Sequence, residues 1–273
     1  MAYQSVTAIS FSPTGNTAGT VKRIAGQIGR ALEIPVLFDE ITTPDERRRV
    51  RQFREDELVV VGTPVYASRV PNLIVPELKR VLKGKNTPAV AVVTFGNRSF
   101  GDAVKELQNI LLEDGFSPVA SCAVVSPHAF ASIGEGRPDV ADERAVREFC
   151  QAVARKLREP SGNPDDADRI REESVGPYYV PKGRDGEPVS FLKAKPVTDE
   201  ELCTNCGVCV HACPMGSIYE AEVSLVPGIC IKCQACVTFC PHSAKSFTNQ
   251  DFLSHKEYLE EHFREPAASV FFV

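Results

Sequence analysis

Cys203, Cys206, Cys209 and Cys213 stand in the spacing C-x2-C-x2-C-x3-C, closed by Pro214, and Cys230, Cys233, Cys236 and Cys240 repeat it, closed by Pro241. Three thiolates at three-residue intervals wrap one iron–sulfur cube, and in such a doubled run the fourth cysteine of each set serves the other cube. The spacing predicts two 4Fe–4S clusters. One would use Cys203, Cys206, Cys209 and Cys240, the other Cys230, Cys233, Cys236 and Cys213. Paired C-x2-C motifs are also zinc spacing, but the third cysteine at the same interval and the Cys-Pro ending, both repeated, favour the cubes. His211 and His242 neighbour cluster cysteines and read as space-filling or hydrogen-bonding, since four thiolates complete each site. A module of about fifty residues buries too little apolar surface to fold securely alone, so cluster binding is expected to be part of its folding.

A second chemical feature lies near the other end. Residues 10–20, "SFSPTGNTAGT", follow an apolar run and precede a helical pattern. Ser12, Thr14, Asn16 and Thr17 around Gly15 can ligate a phosphate with hydroxyls, an amide and backbone N–H groups, because a helix N-terminus is partly positive. The Gly-Lys-Ser/Thr of a triphosphate loop is absent, so a retained monophosphate suits the stretch better. Two further loops, "GTPVYASRVP" (62–71) and "FGNRSFGDA" (95–103), offer aromatics near backbone turns. Tyr66 and Phe95 or Phe100 either stack on a flat ring or fill space beneath the loops. Arg69 and Arg98 would raise the potential of a redox ring by Coulomb attraction, unless both point to solvent. His128 is either a structural loop histidine or a neighbour of the ring edge.

The elements that must carry these loops are legible as alternation. "SVTAISF" (5–11), "LVVVGT" (58–63), "AVAVVTF" (89–95) and "SCAVV" (121–125) are short β-branched runs of buried parallel strands, with a weaker "IPVLF" at 34–38. Between and after them, Val21, Ile24, Ala25, Ile28 and Leu32 make one helix face, Leu107, Ile110 and Leu111 another, and Val146, Phe149, Cys150, Val153 and Leu157 a third. Cys150 and Cys122 lie on apolar stripes and read as buried bystanders. The pattern predicts an α/β fold, a doubly wound five-stranded parallel sheet of order 2-1-3-4-5, with its ligand at the carboxyl ends of strands 1 and 3. Beside it stands a small α+β two-cluster module. The expected organisation is a sheet domain over 1–160, a Pro/Gly-rich linker over 161–199, the cluster module over 200–249 and a C-terminal helix and tail over 250–273 that docks on the body. The basic run "RRRVRQFRE" (47–55) reads as a solvated helix face.

Composition narrows the function. At 273 residues, with 43% hydrophobic and 25% charged residues, the chain has the make-up of an ordinary globular protein. No apolar run reaches membrane-spanning length, and the N-terminal stretch lacks a basic flank and cleavage site. A cytoplasmic location is expected, where thiols stay reduced and cysteines serve metals rather than disulfides. Residues 1–160 carry 21 basic and 19 acidic side chains, residues 161–273 carry 10 and 17. The acidic C-terminal part argues against nucleic acid and fits either a solvated surface or docking to a partner with a basic face. No Gly-x-Gly-x-x-Gly follows a strand, and no Ser-His-Asp arrangement can be argued, so no catalytic residue is assigned.

Together, "SPTGNTAGT", "GTPVYASRVP" and "FGNRSFGDA" resemble the three FMN-contacting loops of flavodoxins. With the "IGEGRPDVAD" segment (133–142) and the cluster module behind them, the whole is similar to the flavodoxin–ferredoxin fusion proteins of anaerobic microbes. The resemblance implies that Ser12, Thr14, Gly15, Asn16 and Thr17 hold the FMN phosphate. It also implies that Pro64, Val65, Tyr66 and Ala67, with Phe95, Gly96, Asn97, Arg98, Phe100 and Gly101, bracket the isoalloxazine. The chain has no tryptophan, which leaves the stacking partner open. The expected function is electron transfer between two 4Fe–4S clusters and FMN and on to a redox partner protein. The alternative is an FMN-dependent reductase of a small substrate, fed by the clusters. The linker is long enough to reach a neighbouring copy of the chain, so a homo-oligomer is an open expectation.

Overall fold

A computed structural model describes residues 3–159 and 174–273, so the first part of the expected linker lies outside the described residues. The sheet domain runs β1 (Ser5–Ser10), α1 (Asn16–Leu32), β2 (Val36–Glu40), β3 (Glu57–Pro64), α2 (Val75–Val81), β4 (Thr87–Phe95), α3 (Ala103–Glu113), β5 (Phe116–Val125) and α4 (Val140–Arg158). The cluster module holds α5 (Val208–Ala212) and α6 (Ala235–Thr238), and α7 (Gln250–His262) leads to a last strand, β6 (Val270–Phe272).

β1 to β5 are parallel in the order 2-1-3-4-5, and β6 pairs antiparallel with β5 as a sixth strand (Val270 opposite Ala123, Phe272 opposite Ser121). The runs of Val and Ile in β1, β3 and β4 are buried throughout because helices cover both faces. One core lies under α2 and α3 and contains Ile9, Val61, Val93, Leu107 and Leu111. The other lies under α1 and α4 and contains Val6, Ile24, Ile28, Val92 and Phe149. Cys122 and Cys150 sit in this second core, fully buried, as expected of bystanders. Gly62 lets α1 approach β3 closely: a Cβ there would fall 2.1 Å from Val21 Cγ2. β1 therefore delivers the 10–20 loop, and β3 and β4 deliver the loops at 62–71 and 95–103, to one end of the sheet.

The sheet has six strands, where the sequence pattern predicts five. "SVFFV" does more than dock: it closes one sheet edge. Ser269 Oγ accepts from the Val125 N–H (3.1 Å) and donates to Asp142 (2.7 Å), and Phe271 packs on Phe149. The run 47–55 also differs from its expected form. It forms a short 3-10 turn at Glu46–Arg48 and a two-residue strand at Arg51–Gln52, and Arg47 and Arg51 are buried. Arg51 is held by Asp39 (2.7 Å), while Arg47 donates to the Pro214 carbonyl (2.5 Å) in the cluster module. Arg47 and Arg51, buried against carboxylates and main-chain carbonyls, make no solvated helical face.

Candidate functional site

The cysteines sort themselves by cavity. Cys213, Cys230, Cys233 and Cys236 line one, together with Ile218 and Phe247. Cys203, Cys206, Cys209 and Cys240 line another, together with Val223 and Lys245. The fourth cysteine of each run thus stands with the first three of the other. Gly207 (φ 75°) and Gln234 (φ 67°) stand in the left-handed region before α5 and α6, which turns each C-x2-C-x2-C stretch around its cavity. Among the described residues no three His, Cys, Asp or Glu side chains converge on a single ion. Burial pushes the Cys233 and Cys236 thiols up to about 12, and those of Cys209 and Cys230 in the same direction. Iron would be held by their thiolates, so cluster assembly would release protons.

Each cavity carries donors that spacing does not announce. The Ser217 N–H reaches Cys213 Sγ (3.3 Å), the Ala244 N–H reaches Cys240 Sγ (3.2 Å) and the Lys232 N–H reaches Cys230 Sγ (3.4 Å). The buried Lys245 ammonium donates to Thr198 Oγ1 (2.6 Å) beside the first cluster set, and Lys232 bridges Leu192 and Cys230 carbonyls beside the second. N–H···S bonds and nearby cations favour the more negative, reduced form of a cluster. His211 and His242 are exposed.

At the sheet domain, Gly15 (φ 87°) precedes α1 in the left-handed region, and an added Cβ would meet nothing within 4 Å. Ser12 Oγ takes the Ala18 N–H (2.9 Å) and the Ser12 carbonyl takes that of Gly15, while Asn16 and Thr17 open the helix, where N–H groups lack intrahelical acceptors. Space, first-turn donors and the helix dipole together fit an anion. Thr17 Oγ1 is buried against Thr94 Oγ1 (2.6 Å), so this residue offers its backbone rather than its hydroxyl.

The two ring loops are joined. Tyr66 and Arg69 exchange backbone hydrogen bonds around Ala67 (φ 49°) and Ser68 (φ 68°), a tight primed turn. Ser68 accepts from the Asp102 N–H (3.0 Å) and from Arg98 (2.7 Å), and Gly101 lies so close to Ser68 that a Cβ would overlap it. Phe95 belongs to the core, edge-on to Phe100 at 5.5 Å, and Phe100 packs partly buried on that core. The Asn97 side chain is spent on the tail, donating to the Phe263 and Glu265 carbonyls and accepting from Ala267. Phe95 and Asn97 therefore leave only their main chain to a ligand. Gly96 sits against His128, with no room for a Cβ.

Neither arginine points to solvent. Arg69 forms a bidentate pair with Glu106 (2.7 and 2.8 Å), which cancels its charge, and lies 4.6 Å from the Tyr178 ring. Arg98 lies 3.8 Å over the Tyr179 ring, and burial lowers its pKa. Tyr178 and Tyr179 belong to a strap that crosses both loops: Tyr179 N–H donates to the Ala67 carbonyl (2.9 Å) and Gly176 N–H to Asp102 (2.8 Å). The sequence signal for this strap is the paired tyrosines alone, since its partners Ala67, Arg69, Arg98 and Asp102 lie far away in sequence. His128 lies beneath, its Nδ1 accepting from the Ala131 N–H (3.2 Å), and its pKa falls to about 3 through burial, then through His255 and Arg98.

Among the described residues no helix is long and apolar enough to cross a membrane. Comparison with known proteins finds that residues 195–241 match the family model of the 4Fe-4S dicluster domain. A tetrathionate reductase subunit of Archaeoglobus fulgidus is 42% identical over 50 residues, 16% of this chain. The match spans 24% of that protein's own length. Solved structures similar to the sheet domain include a flavodoxin from the domain Archaea (15% identity, TM-score 0.40, 57% of this chain and all of that one). Flavodoxin 1 from Bacillus cereus is another (18% identity, TM-score 0.41, 56% of this chain and 98% of that one). This chain joins a doubly wound sheet domain of flavodoxin-like strand order to a 4Fe–4S dicluster domain.

Proposed function

We propose that the protein is an electron-transfer iron–sulfur flavoprotein, in which two 4Fe–4S clusters and one FMN exchange electrons and pass them to a redox partner protein. The anion seat is formed by Ser12, Thr14, Gly15, Asn16 and Thr17, with α1 behind it, and it takes the FMN phosphate without a cation. Lys22, the nearest lysine in sequence, is paired with Glu40. Pro64, Val65, Tyr66 and Ala67 on one side, with Gly96, Arg98, Phe100 and Gly101 on the other, border the flat ring. Arg98 meets a hydroxyl and an aromatic face rather than a carboxylate, so it is the arginine that adds positive potential to the ring. FMN, once bound, supplies a centre that handles one or two electrons; the chain supplies seat, distance and field.

The observation that favours a carrier over a reductase is the strap. A small substrate must reach the ring face, and residues 176–179 are bonded across both ring loops. The acidic cluster module fits a partner with a basic face, whose association would slow as salt rises. Anaerobic purification followed by counts of iron, sulfide and flavin tests the cofactor set. About eight irons and one FMN per chain are expected, the iron number following from two cubes. Two zinc ions per chain, or clusters without flavin, would overturn it.

A further inference from the structure

The two clusters occupy unequal positions. The Cys213/Cys230/Cys233/Cys236 cavity is walled by Pro214, Met215 and Ile231, and the last two also pack against the sheet-domain core. Arg47, buried in the sheet domain, donates to the Pro214 carbonyl, and Gly216 lies against Pro44. Val65 and Phe100, one from each ring loop, pack against the same sheet-domain core as Met215 and Ile231. Neither cavity is lined by the sheet domain itself, but no residue lining the Cys203/Cys206/Cys209/Cys240 cavity is among those packed against the sheet-domain core. Cys206 is exposed there, beside exposed Leu202 and Val208. The exposed acids Glu200 and Glu201 lead straight into this set.

We infer that electrons cross the molecule in a fixed order, between partner and the Cys203/Cys206/Cys209/Cys240 cluster, then the Cys213/Cys230/Cys233/Cys236 cluster, then the flavin. The order rests on the cofactor reading above. Tunnelling falls exponentially with distance, so the centre embedded in the domain interface exchanges with the ring, and the centre under the exposed acidic face exchanges with the partner. Each step moves one electron. With clusters and FMN bound, a one-electron donor protein would reduce the outer cluster, which would be reoxidised as the inner cluster is reduced, and the inner cluster would be reoxidised as the flavin takes the electron. Two such passages and two protons from water reduce FMN fully; the reverse order oxidises it. The partner of this surface is a protein whose own redox centre lies under a lysine- or arginine-rich face.

The test uses the full chain with iron and flavin already counted, so a failed count faults the cofactor reading and leaves the order to be judged separately. Partial stripping with a chelator to about four irons is followed by alkylation and mass spectrometry of the cysteines. Cys203, Cys206, Cys209 and Cys240 should be alkylated, and photoreduced flavin should still reduce the surviving cluster, followed by its electron paramagnetic resonance signal, within about twofold of the native rate. Alkylation of the other set first, or a surviving cluster that the flavin no longer reduces, overturns the order. Where both clusters leave together, Cys206→Ala, which deletes one outer-cluster ligand, replaces chelation and is judged by the same reduction of the inner cluster.

Discussion

His128 illustrates how a single side chain under the ring loops is fixed by its neighbours. Gly96 presses on the imidazole, Phe130 meets it edge-on at 4.4 Å, and Nδ1 accepts main-chain N–H groups, which assigns the neutral ring with its proton on Nε2. A second proton would bring Nδ1–H against those donors, with Arg98 and His255 facing it and only Glu260 in compensation. The folded pKa of about 3 lies below the ordinary value of 6.5. Between those values the unfolded chain binds a proton that the folded chain refuses, so stability contributed by neutral His128 is present above pH 6.5 and is lost as pH falls toward 3. From pH 7 to pH 5 the loss is about 2 kcal/mol. His128→Gln should remove it: urea denaturation at the two pH values should show a smaller drop for the variant by that amount, and equal drops would mean the imidazole is solvated.

At the scale of elements, Asn97 shows a loop residue serving the sheet rather than the ligand. It stands at φ 62° and closes three hydrogen bonds to the tail. Asn97→Gly keeps the backbone freedom and loses three part-buried hydrogen bonds, which should cost about 2–4 kcal/mol at about 1 kcal/mol for each. Asn97→Ala adds about 1 kcal/mol of left-handed strain. Denaturation of the flavin-free protein should rank them in that order; an unaltered midpoint would show that the tail does not depend on Asn97. The contrast with what could be read beforehand is physical. The runs at 58–63 and 89–95 are legible because strands buried on both faces must be continuously apolar. The cysteines are legible because a cube imposes local spacing. "SVFFV" is not legible as a strand, since its three pairing residues meet a strand near residue 122 and the information lies in that distant pairing. Arg47 hides because its closest partners are main-chain carbonyls, which leave no mark in composition, and the Tyr178–Tyr179 strap hides because its partners Ala67, Arg69, Arg98 and Asp102 lie far away in sequence.

For the molecule as a whole, β6 changes the meaning of the domain order. The chain leaves the sheet domain after α4 and returns to it at Val270, so the cluster module is held in a loop closed by the sheet itself. Tethering at both ends, with Arg47 and the packed Met215 and Ile231 between, argues for transfer at a fixed interface rather than a module that swings on one linker. Closure also separates two stabilities. The module has a small core of its own, Cys209, Ile218, Val223 and Cys236, of which half are cluster ligands. The β6 junction rests on Asn97, Arg137, Asp142 and Ser269, none of which touches a cluster. Iron removal should therefore unfold the module and spare the sheet, since metal binding carries the folding free energy of so small a unit. Hydrogen exchange after anaerobic chelation should show amides between 197 and 246 losing protection, while those of β4, β5 and β6 keep theirs. Loss of protection in β6 together with the module would mean that the clusters, rather than the Asn97 and Asp142 contacts, hold the sheet's last strand.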